Sequence, residues 1–253
     1  MTDLAYLKTM DAAYERAFQA RVVSLPPGGV VLDRTLFYPT GGGQPHDEGR
    51  LAGEDGADYR VVDVTKSGNS VVHRLARSSA SAPTTPRIGE TLAGEVDWTR
   101  RYRFMRMHSA QHLVSALVFQ RAQLRTHRAE LRSEGATIDL ERAWPAALAW
   151  NDFRSQVDQE VREGRDLSVR WVPRADWDRA PTGRSALVPL PAAVDPVRII
   201  EIVGVDECPC GGTHVRSTRE VGAVRFDGPP APRGVGCRLR FTIDELAPTT
   251  SPS

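Results

Sequence analysis

Two short groups of residues in this 253-residue chain could do metal chemistry. His108-Ser109-Ala110-Gln111-His112 sets two imidazoles four residues apart, and on a helix that spacing stacks them with Cβ atoms about 5 to 6 Å apart. Cys210-Gly211-Gly212-Thr213-His214 adds a thiolate and a third imidazole, and the glycines between them allow tight folding and close approach by another group. HxxxH alone describes equally well two polar residues on a wet helix face. Joined by CxxxH, in a chain with only six histidines and three cysteines, it reads as half of a metal site. Three imidazoles and a thiolate without a carboxylate suit zinc rather than magnesium, calcium or manganese. One zinc per chain is therefore expected, on His108, His112, Cys210 and His214. The H-E-x-x-H order of a metalloprotease is missing, because Ser109 stands where the glutamate base would be.

A third stretch is Phe37-Tyr38-Pro39-Thr40-Gly41-Gly42-Gly43-Gln44-Pro45-His46-Asp47-Glu48-Gly49. Its consecutive glycines leave bare amides that could face a ligand; the plainer reading is a flexible loop between strands. The GKS or GKT ending of a nucleotide-binding loop is absent, which excludes ATP on this motif.

These residues need elements to hold them. Residues 3–20 read as a short helix on Leu4, Leu7, Ala12, Ala13 and Phe18. From Arg21 to about Ala93, short β-rich runs alternate with turn signals: a hairpin at residues 22–32, then Leu36 to Tyr38, Gly49 to Leu51, Tyr59 to Val64 and Ser70 to Leu75. Many short strands predict a small barrel or sandwich over residues 1–93. Ser78 to Pro86 reads as a solvated connector. Asp97 or Thr99 caps a central helix running to about Ala122, with Phe104, Leu113, Ala116, Leu117 and Phe119 on its buried side. Further expected elements are a strand at 136–140, a helix from Asn151 to Glu163 stopped by Gly164, strands at 167–172, 197–203, 220–226 and 237–243, and irregular chain at 174–194. Mixed elements without a regular βαβ alternation make residues 94–246 an α+β domain, followed by a disordered tail at 247–253.

Composition is that of an ordinary soluble globular protein. No apolar run is long enough for a membrane span and no signal peptide is visible, so the expectation is a cytoplasmic, monomeric chain without a membrane partner. An odd cysteine count argues against a disulfide framework. Lys8 and Lys66 are the only lysines, and between residues 98 and 132 eight arginines face the single acid Glu130. That charge fits a polyanionic partner as well as it fits a solvated helix face.

The runs FYPTGGGQPHDEG from Phe37, MRMHSAQH from Met105 and DECPCGGTHVRSTREVGAV from Asp206 together resemble the AlaX type of alanyl-tRNA editing proteins, freestanding relatives of the alanyl-tRNA synthetase editing domain. The extent of the chain resembles the medium-length members. HxxxH with CxxxH is also found in threonyl-tRNA synthetase editing domains, but the GGGQ loop points to the alanyl branch.

The resemblance implies a small N-terminal β-barrel followed by a zinc-binding editing domain, and ATP-independent hydrolysis of the ester in Ser-tRNA(Ala), with Gly-tRNA(Ala) as a second substrate. It selects Cys210 rather than Cys208 as ligand. Thr40, Gly41, Gly42, Gly43, Gln44 and Arg106 become substrate contacts, with Thr40 reading the serine hydroxyl. Gln44 would orient a water or donate to a developing oxyanion. No residue announces itself as general base; His46, His73 and His127 read as ordinary histidines. Two alternatives stand beside this: a non-catalytic tRNA-binding module with structural zinc, and a threonyl-type domain acting on Ser-tRNA(Thr).

Overall fold

Along Ala17–Ser24, Phe18, Ala20 and Val22 are buried while the residues between them are exposed, the period-two mark of a strand with one face on a core. That alternation overrides the helix expected at residues 3–20. In the computed structural model, which describes residues 1–77, 85–179, 185–186 and 190–245, the segment opens with β1 (Asp3–Leu4) and continues through 3-10 turns at Ala5–Leu7 and Asp11–Tyr14. Thr9 Oγ1 accepts from Ala12 N at 3.0 Å, a local bond that competes with an α-helix there. The chain then enters β2 (Ala17–Ser24), followed by β3 (Val30–Leu32), β4 (Arg34–Thr35), β5 (Gly49–Gly53), β6 (Asp58–Ser67), β7 (Ser70–Arg77) and β8 (Thr91–Val96). Six of these close an antiparallel barrel in the order β2-β3-β7-β6-β5-β8, and β1 pairs with β4 in parallel. Val22, Val30, Leu32, Leu51, Val61 and Leu92 belong to its buried core. The expected boundary at residue 93 falls inside β8.

Leu36, Phe37 and Tyr38 are buried but form no strand. Their backbone groups go elsewhere: Phe37 N donates to Thr35 Oγ1 at 3.0 Å and Tyr38 N to Asp47 Oδ2 at 2.6 Å. Asp47 N returns a bond to Tyr38 O at 2.9 Å, so the glycine-rich loop is closed at its base.

Helix α1 (Trp98–Ala122) begins where Asp97 accepts from Arg100 N at 3.1 Å through its side chain and from Arg101 N at 2.9 Å through its carbonyl. It is not the one-sided helix the sequence suggested. Every residue from Phe104 to Val118 is buried, including Arg106, His108, Ser109, Gln111, His112 and Ser115, so this is an interior helix carrying polar groups inward.

The chain divides into two compact units, Met1–His108 with Cys210–His214, and Ser109–Pro209 with Val215–Ser253. In the second, a sheet runs β14 (Val224–Phe226), β16 (Gly236–Ile243), β10 (Gly135–Leu140), β9 (Thr126–Arg132), with β15 (Ala231–Arg233) also paired to β16. A second sheet joins β11 (Leu167–Val172), β12 (Val197–Ile202) and β13 (Asp206–Pro209). Helix α2 (Trp150–Glu163) buries Phe153, Val157 and Val161, and Phe153 packs on Phe226 with ring centroids 6.1 Å apart. Its N-cap is Ala149 rather than Asn151, and Gly164 ends it in the left-handed region at φ 74°. Residues 174–194 are not wholly irregular, since α3 (Arg174–Arg179) forms there and buries Trp177. Residues 218–221 form a 3-10 turn closed by a Ser217–Glu220 capping box, so the strand expected at 220–226 begins only at Val224. The 247–253 tail and most of the 78–86 connector lie outside the described residues. The fold class is α+β.

Candidate metal centre

His108 and His112 sit one turn apart on α1, and Cys210 and His214 follow directly after β13. One donor atom from each of the four lies within 4.8 Å of every other. His108 and His214 both turn Nε2 toward the thiol, at 3.6 and 3.3 Å from Cys210 Sγ. A tetrahedron with metal–sulfur bonds of about 2.3 Å and metal–nitrogen bonds of about 2.0 Å has edges of roughly 3.3 to 3.6 Å, so the two distances to Cys210 Sγ match its edges and the group could hold a metal ion. The chemistry of the donors agrees with the geometry: Gly212 N donates to Cys210 Sγ at 3.2 Å, which favours a thiolate. Burial, and after it the Arg198 guanidinium, push His112 down to about 4, so its ring is neutral and able to ligate near pH 7.

Gly212 is required by contact. A Cβ there would stand 2.2 Å from His108 Cε1, 2.4 Å from its Nδ1 and 3.0 Å from Gln44 Oε1. Gly211 has open space, so the two glycines of the motif are not equivalent.

The triple glycine proves to be a turn former. Gly41 N donates to Gln44 O at 3.1 Å and Gln44 N to Gly41 O at 2.9 Å. Between them Gly42 and Gly43 take φ values of 55° and 82°, the pair of positive values that a type I′ turn demands. The amides of Gly41 and Gln44 are thus spent on the turn rather than offered to a ligand. What the turn presents is Gln44, which is 1% exposed. Gln44 Nε2 donates to Thr213 Oγ1 at 2.9 Å, and Gln44 Oε1 lies 2.8 Å from His108 Nδ1 and accepts from Thr213 N at 3.2 Å.

Thr40 is exposed and faces His46: its Oγ1 is 3.1 Å from His46 Nδ1 and accepts from His46 N at 3.2 Å. Arg106, an expected substrate contact, is 2% exposed on the buried stretch of α1. The positive charge counted over residues 98–132 is also smaller in space than along the chain, because Arg101 is buried on Asp47, Arg100 lies 3.3 Å from Glu48, and Arg132 lies 2.8 Å from Glu130. His73 is fully buried, its Nδ1 3.1 Å from Val30 O and its Nε2 2.8 Å from Thr35 Oγ1, and burial pushes it down to about 4. His127 is exposed on β9. Among the described residues no cysteine is in a disulfide.

Two residues of this site escaped the sequence reading. Thr213 lies inside CxxxH, and that position next to His214 was the only hint in the sequence; the structure buries it fully. Asp47 gave none: it pairs with Arg101, 54 positions away, and both side chains are inaccessible to solvent. Arg101 also donates to Ala13 O at 3.0 Å and to Leu36 O, so one guanidinium ties the loop, the N-terminal turn and α1 together.

Comparison with known proteins shows the family. Residues 4–100 match the model for class II (A) tRNA synthetases, and residues 197–229 match the threonyl and alanyl tRNA synthetase second additional domain. Alanyl-tRNA editing protein AlaX-M of Methanosarcina acetivorans is 30% identical over 96% of this chain and 99% of its own length. The AlaX-M of Saccharolobus solfataricus is 31% identical over 88% and 91%. The chain belongs to the AlaX-M family of alanyl-tRNA editing proteins. It is also 34% identical to the alanine–tRNA ligase of Cenarchaeum symbiosum, covering 91% of this chain but 25% of that enzyme. Among the described residues no helix is long and apolar enough to cross a membrane.

Proposed function

We propose that this AlaX-M chain is a zinc-dependent deacylase that hydrolyses the aminoacyl ester of Ser-tRNA(Ala), and of Gly-tRNA(Ala) as a second substrate. The observation that carries the proposal is the four-donor cluster of His108, His112, Cys210 and His214, with the buried Gln44 carboxamide 2.8 Å from His108. When bound, zinc supplies polarisation of an ester carbonyl and acidification of a water to a pKa of about 7. The chain itself holds the His112 ring neutral by burial, sets the Gln44 carboxamide 2.8 Å from His108 Nδ1, and closes the Gly41–Gln44 turn that carries it.

A need for such an enzyme follows from binding energetics. A pocket shaped for alanine rejects the isostere that adds a hydroxyl by only about a hundredfold, whereas a site that hydrogen-bonds that hydroxyl discriminates by about 10⁴ or more. Thr40 is our choice for that contact. It serves only by exchanging its His46 partner for the substrate hydroxyl, a trade its exposure permits. Thr40→Val should then erode the preference for seryl over alanyl esters with little change in stability. Unchanged selectivity would remove Thr40 from the site.

One observation favours a second reading. Four protein ligands fill a tetrahedron, which is the habit of structural zinc, so a non-catalytic tRNA-binding module is the alternative. Release of labelled serine from Ser-tRNA(Ala) by the purified chain decides between them, with His108→Ala expected to abolish release while leaving the circular dichroism spectrum intact. Absence of release by the unaltered chain would overturn the enzyme reading, and equal release from Ser-tRNA(Thr) would move the substrate to the threonyl class.

A further inference from the structure

Gln44 was expected to act on water or on an oxyanion, yet its carboxamide is turned toward a ligand. The orientation of that amide follows from one group whose chemistry is fixed. The backbone N–H of Thr213 can only donate, so the Gln44 atom 3.2 Å from it must be the oxygen. The same oxygen stands 2.8 Å from His108 Nδ1. An acceptor already committed to accepting cannot donate, so Nδ1 carries the ring hydrogen. His108 Nε2 is left with its lone pair, and that is the nitrogen turned toward Cys210 Sγ at 3.6 Å. The amide nitrogen is accounted for as well, donating to Thr213 Oγ1 at 2.9 Å.

We infer that Thr213, Gln44 and His108 form a positioning relay: Thr213 sets the Gln44 amide, and Gln44 sets the tautomer and ring orientation of His108 for metal binding. This rests on reading the four-donor cluster as a zinc site. Gln44 and Thr213 are positioning residues in this account, because they act through His108. The relay is buried, with Gln44 at 1% and Thr213 at 0% exposure, so water does not compete for its bonds. Gly212 completes it by leaving room for the ring at the distance the hydrogen bond requires. Partners of this kind, once removed, typically cost about 10- to 100-fold in metal affinity.

The two halves of the relay respond differently to substitution. Gln44→Leu removes the acceptor for Nδ1–H. Gln44→Glu keeps an oxygen there, and the Thr213 hydroxyl can rotate to donate to the second carboxylate oxygen. Thr213→Val keeps the backbone N–H and volume but deletes the hydroxyl that holds the amide nitrogen. Zinc affinity by chelator competition should fall about 10- to 100-fold for Gln44→Leu. Gln44→Glu should hold it within about threefold of the unaltered chain or tighten it, and Thr213→Val should fall between. A ¹⁵N spectrum of the metal-free chain reads the tautomer directly: His108 should carry its proton on Nδ1, and Gln44→Leu should shift population toward Nε2–H.

A proton on Nε2 in the unaltered chain overturns the relay, as does a zinc affinity unchanged in Gln44→Leu. Equal loss in Gln44→Leu and Gln44→Glu also overturns it, since the carboxylate preserves the acceptor. An unaltered chain that binds zinc through the four ligands but shows the wrong tautomer sinks the relay alone. One that binds no zinc removes the metal reading and the relay's purpose with it.

Discussion

Replacing Asp47 with alanine tests whether a buried ion pair holds the glycine turn beside the helix that carries His108. Asp47 accepts from Arg101 Nε at 2.9 and 3.1 Å, from Arg101 Nη2, and from Tyr38 N at 2.6 Å. Both side chains have no solvent exposure. In Asp47→Ala, Arg101 keeps its bonds to Ala13 O and Leu36 O, but its charge stays buried without a counterion. Breaking one side of such a pair costs about 3 to 5 kcal/mol. For a chain of this size that lowers the midpoint by roughly 6 to 20 °C, at about 2 to 4 °C per kcal/mol. Pairing the change with Arg101→Met separates charge from packing. The double variant removes the stranded cation but leaves Tyr38 N, Ala13 O and Leu36 O to find partners, at about 1 to 3 kcal/mol for each that fails. It should therefore remain less stable than the native chain while losing at least about 2 kcal/mol less than the sum of the single changes. Urea unfolding of the four proteins, followed by circular dichroism, supplies the cycle. An additive cycle, or a loss below about 1 kcal/mol for Asp47→Ala alone, would refute the reasoning.

Gly212→Ala should displace the His108 ring, because contact at 2.2 Å must relax by more than 1 Å to reach about 3.5 Å, far beyond the roughly 0.2 Å a metal site tolerates. Zinc affinity should drop at least tenfold by chelator competition, whereas Gly211→Ala, which meets nothing, should bind as the native chain does. Stripping metal with a chelator should lower the unfolding midpoint, since an ion bound only to the folded state stabilises it by mass action; an unchanged midpoint would argue against occupancy of the cluster. His73 gives a pH signature. Its ring is held down to about 4 in the fold against about 6.5 unfolded, so it contributes no pH dependence above about 6.5. Below that the unfolded chain takes up the proton first, and stability should fall by about 3 kcal/mol as pH drops toward 4. Urea titrations across that window check it, and a His73→Leu chain should lack that part of the decline.

Local features were legible in the chain. The metal ligands could be named because each pair is joined by three residues, so helix periodicity or a tight loop already brings its members together. Asp97 as one of two candidate helix starts, Gly164 as a stop and the strands at residues 59–64 and 70–75 were readable for the same reason, each being decided within a few residues. The N-terminal strand was not, because the apolar spacing of residues 3–20 fits a helix until the barrel claims Phe18, Ala20 and Val22. Nor was β9, whose Thr126–Arg132 sequence reads as more of the basic segment.

The residue types, their spacing and the zinc-like donor set belong to the sequence alone. Tertiary structure decided which charges survive as charge, since Arg101 meets Asp47 only across 54 positions. It also decided that the amides of Gly41 and Gln44 close a turn, and that Gln44 reaches His108 across 64 positions. The physical reason is the same in each case: a buried polar group must find its partner wherever the packed chain puts one, and that partner carries no mark in the local sequence.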